Sequence, residues 1–397
     1  MTDHPVTPKV VVIGGGYAGT IAANHLRMRS DIDITLVNPR PRFVERIRLH
    51  NFVASARDVT ADYGSLLGKG VRLVVDSAAR IDTTARQVQL VSGGALEYDY
   101  VIYAVGSTGS TPSSVPGATE FSYPIAELEL AERLRAAIDD MDPDAPITVV
   151  GGGLTGIETA AELAEQGRTV TLVCGGRLAP TFSEPARRSI AKWLTRHGVN
   201  LLETDVVTEV RSDTVVFADG TARPSAVTIW AAGFGVPELA AHSGLRTDDL
   251  GRLFTDETLT SVDDGRIVAA GDAASPSGQP LRMSCYAAAP LGITAGDTVL
   301  SRIAGTEPAR FDMAYVGGSV SLGRRSATGQ FTHKDDSPLD WHFGGRMAAF
   351  IKEVACKATL WTIRLEGRRP GSTVWPKRGP RPDSTLRRRL RAASNAP

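Results

Sequence analysis

The chain has 397 residues, 42% of them apolar, and 44 Lys and Arg balance 44 Asp and Glu. This length holds two or three domains with real cores, and the neutral balance gives no global reason to bind nucleic acid. Three cysteines without C-x-x-C spacing exclude a local dithiol motif and fit a reducing compartment, seven histidines show no metal-ligand spacing, and no apolar run is long enough to span a bilayer.

Residues 1–9 are polar, hold two prolines and lead straight into a strand, so no signal peptide is read and a cytoplasmic protein is expected. Residues 10–19 then run from β-branched residues into a glycine turn and a helix. Gly14, Gly16 and Gly19, with Tyr17 and Ala18 between them, have the G-x-G-x-x-G spacing. The first glycine permits the tight turn, the second lets backbone approach a pyrophosphate, and the third lets helix pack on strand. The phosphate would lie at the helix N-terminus, where free N–H groups and the positive dipole end favour an anion. Residues 32–37 read as the next strand, and Asn38 stands where an acidic residue usually grips the ribose.

Residues 41–56, including Arg46, are basic and half apolar; they either line a cofactor and its phosphates or form a surface helix. Residues 71–79, 81–83, 87–90 and 97–100 read as short strands. Residues 98–107 form a further strand that closes on Gly106, where small residues allow backbone to approach a ligand. Residues 110–123 are a crossover linker and 125–141 an amphipathic helix.

The opening pattern then recurs. Gly151, Gly153 and Gly156 repeat the spacing after an apolar strand, and Cys174 follows the next strand as Asn38 does in the first copy. Two complete fingerprints imply two dinucleotides, and two dinucleotides suggest electrons passing between them. A helix over 186–197, strands over 199–210 and 215–217, and a strand over 226–234 ending at Gly233 complete the second unit. Gly271 and Asp272 follow a short apolar strand, and 286–303 is a long helix rich in Ala and Gly.

Beyond residue 308 the character changes. Residues 319–331 resemble a hairpin and 346–366 a helix, with Met347, Phe350, Ile351, Val354, Ala358, Trp361 and Leu365 on one face. From Arg364 to the end, ten Lys and Arg stand against Glu366 and Asp383. This segment is either a solvated tail after a packing helix or a membrane-surface anchor.

With both fingerprints, the small-residue strand ends at Gly106 and Gly233, and Gly271-Asp272-Ala273 in this order, the chain resembles the pyridine nucleotide–disulphide oxidoreductase superfamily over about residues 9–308. The resemblance implies an α/β fold of two Rossmann-like, doubly wound domains, the second inserted into the first, plus a C-terminal α+β region. The boundaries are 1–112 and 241–308 for an FAD-binding domain, 113–240 for an NAD(P)H-binding domain, and 309–397 for an interface or membrane-surface region. FAD would lie on Gly14, Gly16 and Gly19 with Asp272 on its ribityl chain, and NAD(P)H on Gly151, Gly153 and Gly156 with Gly233 close by. The helix near Tyr286 would aim its N-terminus at the flavin.

Within the superfamily the chain is similar to type II NADH:quinone oxidoreductases and to apoptosis-inducing-factor-like flavoproteins, from Gly156-Ile157-Glu158, Trp230-Ala231-Ala232-Gly233 and the missing disulphide. The implied activity is an FAD-dependent NAD(P)H dehydrogenase with a quinone as acceptor. The alternatives are a reductase of a small electron carrier such as ferredoxin, and a non-catalytic flavoprotein that responds to NADH. Residues 283–289 lack the glutamines of the quinone reductases, Cys174 replaces the glutamate that favours NADH, and Arg177 could accept a 2′-phosphate. NADPH is therefore expected to serve as well as NADH. Glu158 is expected beside the flavin–nicotinamide contact, titrating near working pH and relaying a proton. Peripheral contact with the cytoplasmic face of a membrane is expected through the basic C-terminus, and a homodimer is an admissible assembly.

Overall fold

A computed structural model describes residues 7–55 and 57–379, so the basic residues from Arg381 onward lie outside the described residues. Two five-stranded parallel sheets organise the chain, and four strands of each lie in the same spatial order, while the fifth, at one edge, comes last in the chain in the first sheet and first in the second. In the first, Ile267–Ala269, Tyr100–Tyr103, Lys9–Ile13, Asp33–Asn38 and Val71–Val75 lie side by side. In the second, the order is Ser122–Pro124, Val227–Trp230, Ile147–Val150, Val170–Val173 and Asn200–Leu202. Each fingerprint strand is central, and Val10, Val12, Ile147 and Val149 have no solvent exposure. Burial on both faces is why these strands are continuous β-branched runs rather than alternating ones.

The chain leaves the first sheet and returns to it through Thr108–Gly109 and Phe234–Gly235, which pair antiparallel. The second Rossmann unit is thus inserted into the first, which closes when Ile267–Ala269 pairs with Tyr100–Tyr103. The long helix Cys285–Ile303 packs on helix Tyr17–His25. A Cβ at Gly292 would collide with the Ala18 carbonyl, which accounts for the small residues of this helix.

The C-terminal region is a three-stranded antiparallel sheet (Gly317–Leu322, Ser326–Thr332, Pro338–Gly344) and a helix, Gly345–Arg368, lying on its middle strand. The third strand lies beyond the hairpin read from the sequence; none of its seven residues is buried, and its Trp341 is exposed. Residues 71–79 are likewise not one strand. The chain turns at Asp76, whose carboxylate accepts the Ser77 N–H, and Ala78–Asp82 joins a separate antiparallel sheet. Residues 41–55 are not a surface helix but a short strand Arg42–Val44, a 3₁₀ turn Arg46–Arg48 and a helix Leu49–Ser55 with Leu49, His50, Val53 and Ala54 buried.

One buried ionic cluster ties the C-terminal helix to the first domain. His25 Nδ1 lies 2.6 Å from Glu366 and Nε2 lies 2.8 Å from Asp297. Glu366, with no solvent exposure, also accepts the Gly371 N–H at 2.6 Å and the Thr373 hydroxyl at 2.7 Å. Burial opposes the charged imidazole, but the two carboxylates push its pKa up to about 9. A pKa raised on folding adds stability that is complete below the unfolded value near 6.5 and is lost as pH rises through the folded value. Because Asp297 is half exposed, the effect is about 2–3 kcal/mol rather than the full linkage value. Urea unfolding should therefore show the wild type weakening by about this amount between pH 7.5 and 9.5 beyond any loss in H25Q, which should lack most of that dependence. A slope retained in H25Q would place the titration elsewhere.

Candidate functional site

The two glycine turns are built alike. Gly14 N–H donates to Val37 O and Gly151 N–H to Val173 O, both at 2.8 Å. A Cβ on Gly14 would strike the Ala104 carbonyl, and one on Gly151 would come within 2.8 Å of the Ala231 carbonyl. On Gly19 and Gly156 it would strike the carbonyls of Gly14 and Gly151. These four glycines are demanded by the protein's own packing.

Gly16 and Gly153 are different. Their φ values are −76° and −77°, open to any residue, and no heavy atom lies within 4 Å of a Cβ built on either. Each caps the N-terminus of a helix whose first N–H groups are free. The protein does not fill these spaces, and a diphosphate fits them chemically.

A cleft of about 410 Å³ opens at the first turn. It is lined by Gly14, Gly16, Tyr17, Ala18, Asn38, Arg46, Gly106, Gly271 and Asp272, which brings together the residues predicted for the first site except Gly19. Asp272 accepts the Ser107 hydroxyl at 2.7 Å, and Arg46 donates to Ser107 O at 2.7 Å and to Ala126 O at 2.9 Å. Burial lowers the Arg46 pKa, yet the Asp272 charge supports its cationic form. Asn38 accepts the Gly15 N–H at 2.9 Å and donates to Arg40 O at 2.8 Å. It shapes the loop as well as lining the cleft. Tyr63, which the sequence did not single out, donates to Gly15 O at 2.6 Å and clamps the same turn.

Ser284, Cys285 and Ala288 bring the N-terminus of helix Cys285–Ile303 to the cleft wall, where the dipole favours negative charge. Burial pushes the Cys285 thiol up to about 11 and the Cys174 thiol to about 12, so neither is a thiolate near neutrality. Cys174 packs against the second turn beside Gly152, and Gly233 adopts the left-handed φ of +82° at the end of its strand. Among the described residues no His, Cys, Asp and Glu group could hold a metal ion.

The expectation that Glu158 titrates near working pH requires a correction. Glu158 is not among the residues lining the cleft; it is buried against the C-terminal helix, paired with Lys352. Its carboxylate also accepts the Ser321 N–H at 3.0 Å and faces His50 Nδ1 at 3.5 Å. Burial opposes its charge, but Lys352, His50 and the Ser321 N–H outweigh burial and hold its pKa below the usual range. It is therefore ionised at working pH rather than titrating there. The group that does titrate there is Glu162, one helical turn on, which burial and then Glu165 push up to about 7. Glu162, His50, Lys352 and Cys356 line a second cavity of about 320 Å³ beneath the C-terminal helix. Lys352 could not be paired with Glu158 from the sequence, because 194 residues separate them.

The apolar stripe of the C-terminal helix faces outward. Met347, Phe350, Ile351, Val354 and Trp361 are all exposed, from 44% to 67%, while Ala348, Ile363 and Glu366 are buried. Among the described residues no helix is long and apolar enough to cross a membrane.

Residues 8–292 match the family model described as pyridine nucleotide-disulphide oxidoreductase. An NADH dehydrogenase-like protein of Mycobacterium tuberculosis is 31% identical over 325 residues, covering 74% of this chain and 80% of the relative. A type II NADH:quinone oxidoreductase of Staphylococcus aureus is 26% identical over 396 residues, covering 89% of this chain and 96% of the relative. The crystal structure of a sulfide:quinone oxidoreductase from Aquifex aeolicus superposes with a TM-score of 0.77 at 19% identity, over 92% of this chain and 93% of that one.

Proposed function

We propose, from a chain that belongs to the pyridine nucleotide-disulphide oxidoreductase family, an NAD(P)H dehydrogenase that delivers its electrons to a quinone at a membrane surface. That the chain is an FAD-containing NAD(P)H oxidoreductase follows from the family; the acceptor and the membrane are the proposal. FAD, when bound, supplies hydride acceptance from the nicotinamide and electron release to the acceptor.

The residues around it have separate tasks. Gly16 and Gly153 leave room for the two diphosphates, and Asp272 with Ser107 and Arg46 orients polar groups at the far side of the cleft. The helix N-terminus at Ser284 and Cys285 stabilises negative charge. Glu158, ionised and buried, holds Lys352 protonated at the inner face of the C-terminal helix, where its charge reaches Cys285 in the cleft wall. For an acceptor taken up in the cavity that Lys352 lines, the proton on its Nζ is the one within reach, a role for the pair rather than for Glu158 alone.

The observation that carries the quinone reading is the direction of the C-terminal helix. Its inner face bears Lys352 and Cys356 beside the second cavity, and its outer face exposes Met347, Phe350, Ile351, Val354 and Trp361. Phe331 and Trp341, stacked at 5.2 Å, extend the exposed apolar surface onto the adjoining sheet. Such a surface suits the acyl boundary of a bilayer, where a lipid-soluble acceptor resides, with Arg346, Lys357 and Arg364 at its rim. Each rim cation near an anionic leaflet adds about 1 kcal/mol.

Two measurements test this. Purified holoenzyme should turn over a short-chain ubiquinone at least ten times faster than a plant-type ferredoxin; the reverse order would identify a carrier-protein reductase, and slow turnover with both a non-catalytic flavoprotein. It should also sediment with phosphatidylglycerol vesicles more than with phosphatidylcholine vesicles, in a salt-sensitive way that F350S/V354S weakens. A truncation after Gly379 asks what the remaining basic tail adds without disturbing the Glu366 cluster.

A further inference from the structure

We propose that His25, Asp297 and Glu366 are positioning residues for the flavin. Their bridge latches the C-terminal helix onto the two helices whose N-termini wall the first cleft, and breaking the bridge loosens the cofactor. This rests on the assignment of the first fingerprint to FAD.

Helix Tyr17–His25 has nine residues. Tyr17 and Ala18 line the cleft, and His25 closes the same helix about 12 Å away at 1.5 Å per residue. Helix Cys285–Ile303 likewise presents Cys285 and Ala288 to the cleft and Asp297 to His25, 2.8 Å from Nε2. Between these points the two helices touch closely. A Cβ on Gly292 would strike the Ala18 carbonyl, and one on Gly296 would come within 3.0 Å of the His25 ring. Packing this tight carries a shift at His25 along to the cleft.

The C-terminal segment holds this pair at both ends. At the far end Glu366 lies 2.6 Å from His25 Nδ1, and Asn24 donates to Ile363 O at 3.2 Å. Asn24 also donates to Leu66 O at 2.9 Å, three residues from the Tyr63 that clamps the Gly15 turn. Beyond the helix, Glu366 accepts the Gly371 N–H and the Thr373 hydroxyl, and the chain runs back along residues 312–314. There Trp375 donates to Asp312 O at 2.8 Å and Ala314 N–H donates to Pro376 O at 2.9 Å. Ala314 O in turn accepts the hydroxyl of Tyr286, the neighbour of Cys285 in the cleft wall, at 3.1 Å.

Without a cation at His25, Glu366 is a fully buried carboxylate with the Gly371 and Thr373 donors but no positive partner among the described residues. Local release of the C-terminal segment, which admits water to Glu366, relieves this at less cost than global unfolding. Flavin affinity then falls with the fraction of molecules still latched, and bound flavin reciprocally favours the latched state. Asp297 and Glu366 are the charges that touch the ring. Nearby, Arg27 donates to the Lys69 and Gly367 carbonyls, Arg302 to Gly265 O and Thr260, and Arg364 and Arg368 are exposed. The two carboxylates raise the His25 pKa to about 9, so the latch is complete near neutrality and is lost as pH rises through that value.

The test measures the dissociation constant of FAD from the purified holoenzyme by equilibrium ultrafiltration, with circular dichroism reporting that each sample is folded. Wild type should bind FAD about fourfold more weakly at pH 9.5 than at pH 7.5, the factor expected half a unit above the His25 pKa. H25Q should be roughly tenfold weaker than wild type at pH 7.5 and indifferent to pH. H25Q/E366Q, which leaves no buried charge to open the segment, should recover most of the affinity while staying indifferent to pH. Hydrogen exchange in wild type needs no variant: amides of residues 360–368 should exchange several-fold more slowly with FAD bound than without it. A folded H25Q with wild-type FAD affinity, or exchange in 360–368 that ignores FAD, would overturn the latch. A wild type that binds no FAD would instead overturn the assignment of the first fingerprint.

Discussion

Gly16→Val should give a folded protein without flavin. The backbone at Gly16 is extended at φ −76°, which valine adopts readily, and no heavy atom lies within 4 Å of the new Cβ. The substitution should therefore change the stability of the flavin-free chain by less than about 1 kcal/mol. Yet the isopropyl group fills the space kept for the first pyrophosphate and blocks the free N–H groups at the start of helix Tyr17–His25. Flavin content, read from visible absorption, should fall at least tenfold. Thermal stability should fall to that of the apoprotein, since a ligand held at a thousand times its Kd adds about 4 kcal/mol. Gly153→Val should do the same to NAD(P)H binding while leaving the protein yellow. Gly14→Val supplies the contrast: its Cβ meets the Ala104 carbonyl at a φ of +104°, so the fold itself should fail. A soluble G16V that keeps stoichiometric flavin would remove the first cofactor from this turn.

Lys352→Met should be among the most destabilising single substitutions in the chain. Lys352 and Glu158 are 15% and 8% exposed, so the methionine leaves a buried carboxylate with only His50 and the Ser321 N–H beside it. Breaking a buried pair in this way costs about 3–5 kcal/mol, and E158Q/K352M should recover much of it because no charge remains unpaired. The pH dependence has a definite sign. Without Lys352, burial becomes the dominant influence on Glu158 and raises its folded pKa above the unfolded value. An acid shifted upward on folding costs stability as pH rises through its folded pKa, so K352M should be closer to wild type at pH 5 than at pH 8. Urea unfolding of the three variants at both pH values measures this. A K352M deficit below about 1 kcal/mol at pH 8 would mean that water already solvates the pair. The same variants separate structure from function: a double variant that regains stability but not quinone turnover would show that the charge pair acts in the reaction.

The sequence by itself determined the parts whose causes are local. A tight turn, a close backbone approach and a helix packed on its strand each need glycine at a set spacing. The two fingerprints therefore announced two Rossmann units, and the family resemblance they helped to carry implied the insertion of one in the other and a shared site for Gly14, Gly16 and Asp272, which with Asn38, Arg46 and Gly106 line one cleft. Periodicity found the apolar stripe of the C-terminal helix, since helical spacing is also local. Tertiary structure decided everything that depends on a partner remote in the chain. Glu158 became one half of an ion pair with Lys352, and His25 became a cation between Asp297 and Glu366, 341 residues from the latter. The stripe could have faced either way. It faces out because the opposite face carries Lys352, paired with Glu158, and Glu366, paired with His25, together with the buried Ala348 and Ile363.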